Sequence, residues 1–104
     1  MTTFEDRENA FENKFAHDQE MQFRAEARRN KLVGLWVADI LGKSGEDAEA
    51  YAKDVVKADF EEAGHEDVMR KLIADLGGRV PEADLRRKYD AFLAEAKAQL
   101  MDGR

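Results

Sequence analysis

Apolar side chains recur at helical spacing along most of the chain, and this pattern divides it into four predicted helices. The first spans residues 4–41 and ends at Gly42, the second ends at Gly64, the third ends at Gly77, and the fourth opens with Pro81. Glycine is common just after a helix, and proline is common in its first turn. No segment alternates with a period of two, so no strand is predicted. Because short connections favour antiparallel neighbours, the expected fold is all-α, a small four-helix bundle.

The predicted core of the bundle has two parts. Residues 32–41 are apolar on nearly every side of a helix, which is typical of a helix that is buried on most of its surface. Each of the three later helices carries one apolar stripe at i, i+3, i+4 spacing. The stripe positions are Ala48, Tyr51, Ala52, Val55, Val56, Phe60 and Ala63 in the second helix, Val68, Met69, Leu72, Ile73 and Leu76 in the third, and Leu85, Tyr89, Phe92, Leu93, Ala96 and Leu100 in the fourth.

The beginning of the first helix has a different pattern, because its large apolar side chains are three phenylalanines, Phe4, Phe11 and Phe15. On a helix these rings fall within about 40° of one another and span roughly 17 Å. A helix that packs into its own core usually has an apolar stripe at least about 100° wide. The narrow phenylalanine seam therefore favours docking into a groove on another protein. The alternative is that the seam lies back on the bundle and lengthens its core.

The phenylalanine seam has little to pack against in the rest of the chain, and a short isolated helix is marginal in water. We therefore expect a mobile N-terminal segment in the free protein. The predicted organisation is an N-terminal segment of residues 1–19 followed by the four-helix bundle of residues 20–104.

Charge is distributed unevenly along the 104 residues, whose net charge is −6. Residues 1–20 hold six acidic and two basic side chains, residues 45–64 sum to −5, and residues 21–31 sum to +3. The acidic total argues against nucleic acid as a partner. The basic patch of residues 21–31 is predicted to be a solvated helix face. A contact with phosphate or with a protein is the second interpretation.

Cysteine usage and hydropathy limit the class of protein further. The chain has no cysteine, which excludes disulfides and cysteine-based zinc sites. No apolar run approaches the ~20 residues of a membrane span, and the acidic start does not fit a signal peptide or a transit peptide. These features predict a cytoplasmic protein with no direct membrane insertion.

None of the candidate catalytic features has a complete motif. Residues 42–44 read Gly-Lys-Ser, like the end of a phosphate-binding loop, but Val37 stands where that motif needs glycine, and no strand precedes it. His17 and His65 lie outside any zinc-binding pattern. Asp39 interrupts the apolar run and is either a buried functional acid or half of a surface ion pair with the lysine four residues later. We predict that the protein is not an enzyme and holds no metal or other cofactor.

Four stretches of the sequence resemble one known family. They are residues 4–18, 23–36, 45–52 and 56–64, and the first two begin Phe-Glu-Asp-Arg-Glu-Asn-Ala-Phe and Phe-Arg-Ala-Glu-Ala-Arg-Arg-Asn. The chain is similar over essentially its whole length to the zeta subunit of alphaproteobacterial F-type ATP synthases. The resemblance implies a four-helix protein that inhibits ATP hydrolysis by the catalytic head of the synthase.

The resemblance also implies how inhibition works. The N-terminal segment becomes a helix wedged between catalytic subunits near the rotor, so that rotation in the hydrolysis direction is blocked, as by the mitochondrial ATPase inhibitor. The implied partners are the catalytic and rotor subunits, which would hold the protein at the cytoplasmic side of the inner membrane. The partner-binding residues predicted on this basis are Phe4, Arg7, Glu8, Phe11, Lys14 and Phe15.

Two other functions remain open. The family has been associated with weak nucleotide binding, so the alternative is a regulatory helical protein that binds ATP or ADP without strong inhibitory action. A third class is an interaction scaffold that inhibits nothing. The residues predicted for a weak nucleotide site are Arg24, Arg28, Arg29, Lys31 and Trp36.

Overall fold

The computed structural model describes the backbone of residues 3–61 and 66–102, and the side chains of residues 18–59 and 66–102. The elements are α1 (Thr3–Ile40), α2 (Glu46–Glu61), α3 (Glu66–Leu76) and α4 (Glu82–Met101). These described ranges contain no strand. The prediction of an all-α four-helix bundle is therefore confirmed.

A Schellman motif ends α1 and turns the chain toward α2. The backbone N–H of Gly42 donates to the carbonyl of Asp39 at 3.1 Å, and the N–H of Lys43 donates to the carbonyl of Ala38 at 2.9 Å. Gly42 has φ +80°, which a glycine adopts without strain. The Gly-Lys-Ser tripeptide is thus the end of a helix and the start of a turn, as its missing motif residues indicated.

The hydrophobic core lies where the C-terminal half of α1 meets the other three helices. α1 packs against α2 on one side and α4 on the other, and α3 closes the bundle against α2 and α1. The buried core residues are Val33, Val37, Ala38, Tyr51, Val55, Val68, Met69, Leu72, Leu76, Leu85 and Tyr89. All eleven belong to the residues or stripes predicted from the sequence.

Residues 32–41 are buried or half-buried at every position except Asp39, so the prediction of burial on most sides is confirmed. Val33 and Val37 are fully buried, whereas Leu32 and Leu35 remain partly exposed. α2 approaches this part of α1 closely at Gly34, where an added Cβ would lie 2.8 Å from the Cα of Ala52.

α1 is much longer than the helices that pack on it. Its 38 residues correspond to roughly 57 Å, close to the 60 Å longest dimension of the molecule. α4 has 20 residues and α2 has 16. α4 runs antiparallel to α1, and Leu100 and Met101 at its end lie beside Asp18 and Met21. The α1 backbone before Asp18 therefore extends past the end of α4.

Candidate functional site

The predicted partner-binding residues lie on the part of α1 that extends past α4. The α1 backbone is helical from Thr3 onward, and the spacing of the three phenylalanines on such a helix brings them onto one face. The predicted residues are Phe4, Arg7, Glu8, Phe11, Lys14 and Phe15. Their side chains lie outside the described residues, so the seam and the mobility of the segment stay predictions.

The five residues predicted for a nucleotide site lie in three separate places. Arg24, Arg28 and Lys31 share one face of α1 and line a groove of about 490 Å³, which we call the basic groove. Arg29 points into the bundle interior, and Trp36 packs beside α4. The structure gathers three of the five, and nucleotide binding there stays a prediction. The basic groove is lined by Phe23, Arg24, Ala27, Arg28 and Lys31 of α1, Val56 of α2 and Leu100 of α4.

Two of the three cations of the basic groove, Arg24 and Lys31, form weak ion pairs at its rim. The guanidinium of Arg24 lies 2.6 Å from the Glu20 carboxylate, and Nζ of Lys31 lies 4.0 Å from the Glu49 carboxylate. All four side chains are more than half exposed. Exposed pairs of this kind contribute about 0–1 kcal/mol to stability. The prediction of a solvated basic face is therefore right for Arg24 and Lys31.

Phe23 adds an exposed aromatic ring to the same groove. Its exposed fraction is 55%, and it is one of two large apolar residues exposed among the described side chains, the other being Met101. A second groove of about 380 Å³ adjoins the basic groove and is mainly apolar. The two grooves share Leu100. Apolar surface thus accumulates where α4 ends and the longer part of α1 begins.

Arg29 is buried, and the prediction of a solvated face is wrong at this position. Its exposed fraction is 2%, and its guanidinium carbon lies 4.0 Å from the centroid of the Tyr89 ring. The Nε–H of Arg29 and the hydroxyl of Tyr89 both donate to Oδ1 of Asn30, each at 3.3 Å. Asn30 is fully buried. These side chains join α1 to α4 through polar contacts inside the bundle.

A signal for the burial of Arg29 is present in the sequence. Ala25, Arg29, Val33 and Val37 are spaced four residues apart, so they follow one row along the helix. The other three members of that row are buried. The position of Arg29 in this row indicates burial, whereas the composition of residues 21–31 groups Arg29 with the exposed cations.

Burial is the main influence on the Tyr89 hydroxyl. It raises the pKa of Tyr89 to about 12 from an ordinary value of 10.0. The charge of Arg29 acts in the opposite direction and lowers this pKa, while the charges of Asp59 and Glu26 raise it. Carboxylates from α1 and α2 therefore influence the Arg29–Asn30–Tyr89 cluster, which lies where three helices meet.

Trp36 contributes to packing on a different part of α1. Its ring lies 6.2 Å from the ring of Phe92, centroid to centroid, at 59°. Nζ of Lys88 lies 5.5 Å from the Trp36 centroid and 5.6 Å from that of Phe92. The tryptophan is thus held by α4, away from the basic groove.

The remaining chemical candidates carry no site in the part of the chain that the structure describes. Asp39 is exposed, so its interpretation as a buried functional acid is wrong. No group of three or more His, Asp or Glu side chains among the described residues could hold a metal ion. The side chains of His17 and His65 lie outside the described residues. No described helix combines the length and the hydropathy needed to cross a membrane.

Comparisons with known proteins found one matching family and a similar solved structure. A family model described as ATPase inhibitor subunit zeta matches residues 1–99. The chain is also similar to a protein solved by solution NMR, with 70% sequence identity and a TM-score of 0.75. That alignment covers 81% of this chain and 99% of the other. None of the curated proteins matches.

Proposed function

We propose, because this chain belongs to the family of ATPase inhibitor subunit zeta, that it inhibits ATP hydrolysis by the catalytic head of the F-type ATP synthase through the N-terminal segment of α1. The inhibitory role is that of the family. The finer mechanism is that the segment enters between catalytic subunits near the rotor as a helix. Once it is wedged there, rotation in the hydrolysis direction stops.

The observation that supports this mechanism is the length of α1 relative to its partners. The described end of α4 reaches Asp18 and Met21, and the α1 backbone continues for about four turns before that level. A helix with one narrow apolar seam fits the helix-in-groove type of recognition. The segment can therefore enter a cleft while the bundle stays outside.

The bundle limits how far the segment enters. Perpendicular to its long axis, the molecule measures 25 by 22 Å, whereas one helix with side chains is about 10–12 Å across. A cleft wide enough for one helix excludes the bundle. The buried contact of Arg29 with Tyr89 holds α1 in the bundle about three turns after Asp18, the level at which α4 ends. The inserted segment is thus connected rigidly to a body that remains outside the cleft.

The proposed location follows from the proposed partner. The protein would be cytoplasmic and would associate with the inner membrane through the catalytic and rotor subunits of the synthase. Inhibition through binding requires no reacting group. We therefore propose that the protein is not an enzyme.

A hydrolysis assay with the cognate catalytic head tests the proposal. The full chain should lower ATP hydrolysis, and a chain lacking residues 1–16 should not. A matched control carries residues 1–16 in scrambled order, which keeps their charge and removes the phenylalanine seam. Equal inhibition by the full and scrambled chains would contradict the seam mechanism, and equal inhibition by the full and truncated chains would contradict a role for the segment.

A further inference from the structure

We propose that the basic groove is a second docking surface, which binds an acidic amphipathic helix of the same catalytic head. This inference rests on the proposed function, because it assigns a second contact to the same complex. The phenylalanine seam would enter the cleft, and the basic groove would bind the surface of the head beside the cleft.

The shape of the basic groove suits a helix. The groove lies on α1 between the C-terminal parts of α2 and α4, which contribute Val56 and Leu100 to its floor. Its volume of about 490 Å³ is open to solvent, and the ring of Phe23 is 55% exposed beside it. Grooves between helices with an apolar floor bind the apolar face of an added amphipathic helix.

The charge of the groove indicates an acidic occupant. Arg24, Arg28 and Lys31 stand at i, i+4 and i+7, so they form one row of cations roughly 10 Å long. The whole protein has a net charge of −6, whereas the stretch that contains this row, residues 21–31, sums to +3. The Arg24–Glu20 and Lys31–Glu49 pairs are exposed and weak, so carboxylates of a partner can replace Glu20 and Glu49 at little cost.

The position of the groove places it beside the cleft. Phe15, the last residue of the seam, precedes Arg24 by nine residues, which is roughly 14 Å of helix. When the seam is inserted, the basic groove must therefore lie close to the surface around the cleft. Opposite charges at this position would attract the head over a distance of about 10 Å and would fix the rotation of α1 about its own axis.

Residues 1–16, from the same chain or from a second copy, are the other acidic candidates for this groove. The acidic segment of residues 1–16 could bind the groove of the same chain only if α1 broke between residue 16 and Phe23, whereas α1 is one continuous helix from Thr3 to Ile40. The segment of a second copy would need no break. Both occupants are outcomes of the experiment below.

Site-specific crosslinking of the full chain identifies the occupant. A photoreactive phenylalanine analogue replaces Phe23, the protein is mixed with the catalytic head, and mass spectrometry maps the crosslink. The expected product joins position 23 to an acidic helical segment of the head. The matched control places the analogue at Arg87, which is 73% exposed on α4 and outside the groove. Crosslinks to residues 1–16 of the same or a second chain, or equal crosslinking from both positions, would overturn the proposal.

Charge reversal measures the contribution of the groove. The double variant Arg24→Glu with Lys31→Glu changes the charge by −4 at two exposed positions. At low ionic strength it should slow association with the head about tenfold and make the association rate less dependent on salt. The matched control is Arg79→Glu with Arg87→Glu, which makes the same charge change at exposed positions away from the groove. Equal rates for the two double variants would contradict docking at the groove.

The two proposals fail in different ways in these assays. If the full chain inhibits hydrolysis and both double variants associate at the same rate, the groove proposal is overturned and the proposed function stands. If the full chain binds the head through position 23 without lowering hydrolysis, the proposed function is overturned and the groove proposal stands. If the full chain neither binds nor inhibits, both are overturned.

Discussion

The guanidinium carbon of Arg29 lies 4.0 Å from the centroid of the Tyr89 ring, inside the bundle. Asn30 accepts hydrogen bonds from both side chains. A buried cation is stable only when neighbouring groups compensate for its lost hydration, and an aromatic face does so in part. The contact therefore fixes the position of α4 along α1 more specifically than apolar packing alone would. It also anchors α1 in the bundle about three turns after Asp18, the level at which α4 ends.

Stability should fall in alkaline solution through Tyr89. Burial raises its pKa to about 12, so the folded protein holds the phenolic proton more tightly than the unfolded chain, whose tyrosine pKa is near 10. The stabilisation is complete below pH 10 and is lost as the pH rises from 10 toward 12. Urea unfolding at pH 9, 10 and 11 should show a loss of about 1 kcal/mol from this group between pH 10 and 11.

The variant Tyr89→Phe is the control for that titration. It removes the ionising hydroxyl and its hydrogen bond to Asn30, so it should be less stable at pH 8 by about 1 kcal/mol and should lose less stability above pH 10. Tyr51 contributes in the same direction, because burial and its hydrogen bond to Asp75 also raise its pKa. An unchanged alkaline slope in Tyr89→Phe would show that the Tyr89 proton is not linked to folding.

Gly34→Ala should destabilise the bundle, although alanine is the better helix former. A Cβ at position 34 would lie 2.8 Å from the Cα of Ala52 in α2, so the two helices would have to move apart. Overpacking of this kind costs about 1–3 kcal/mol, against a gain of about 1 kcal/mol in helix propensity. We expect a net loss of about 1–2 kcal/mol in urea unfolding.

A second substitution tests the cause of that loss. Ala52→Gly removes the Cβ that would lie 3.3 Å away but leaves the backbone Cα in place. The double variant Gly34→Ala with Ala52→Gly should therefore remain destabilised. Recovery of the original stability would mean that side-chain contact, and not backbone approach, limits the distance between α1 and α2.

The sequence predicts the helices well because their ends depend on local chemistry. Gly42 and Gly77 adopt positive φ values just after α1 and α3, and a glycine at such a position can be recognised without knowing the fold. The inward side of residues 32–41 could not be predicted in the same way. That stretch is apolar all round, so periodicity gives no direction, and the choice of Val33 over Leu32 depends on where α2 lies.

The candidate site was only partly predictable for a related reason. Composition groups Arg24, Arg28 and Arg29 as one basic patch, but the helical turn sends Arg29 into the bundle and leaves the other two on the basic groove. The position of Trp36 depends on a long-range partner, Phe92, which no local pattern specifies. Residues that act together across helices are therefore the part of the site for which the structure was needed.

Deletion of residues 1–16 should leave a cooperatively folded bundle. The buried apolar residues of the described chain begin at Ala25 and continue through α4. Thermal unfolding followed by circular dichroism should remain cooperative, with a midpoint shifted by a few degrees, which corresponds to a loss of about 1 kcal/mol or less. Loss of the helical signal would mean that the segment belongs to the folding core, as the interpretation of a seam lying back on the bundle requires.

The phenylalanine seam gives the most specific prediction about inhibition. If the segment binds as a helix in a groove, most of the binding energy should come from a few aromatic side chains that are buried in the partner. Phe11 and Phe15 are one turn apart on one face of α1, so they should enter the groove together. Phe4 lies two turns earlier and close to the end of the helix, where the backbone frays most easily, so its contribution should be smaller.

Phe11→Ala and Phe15→Ala should each weaken inhibition of ATP hydrolysis by roughly 30- to 1,000-fold, because truncating a buried aromatic anchor costs about 2–4 kcal/mol. Neither change should alter thermal unfolding of the free protein by more than a few tenths of a kcal/mol, on the order expected for a substitution outside the core. Asn13→Ala, on the opposite face of the helix, is the control and should inhibit like the original chain. Small and equal effects from all three would reject docking through the seam, and a large loss of stability from either phenylalanine would place the seam in the bundle core.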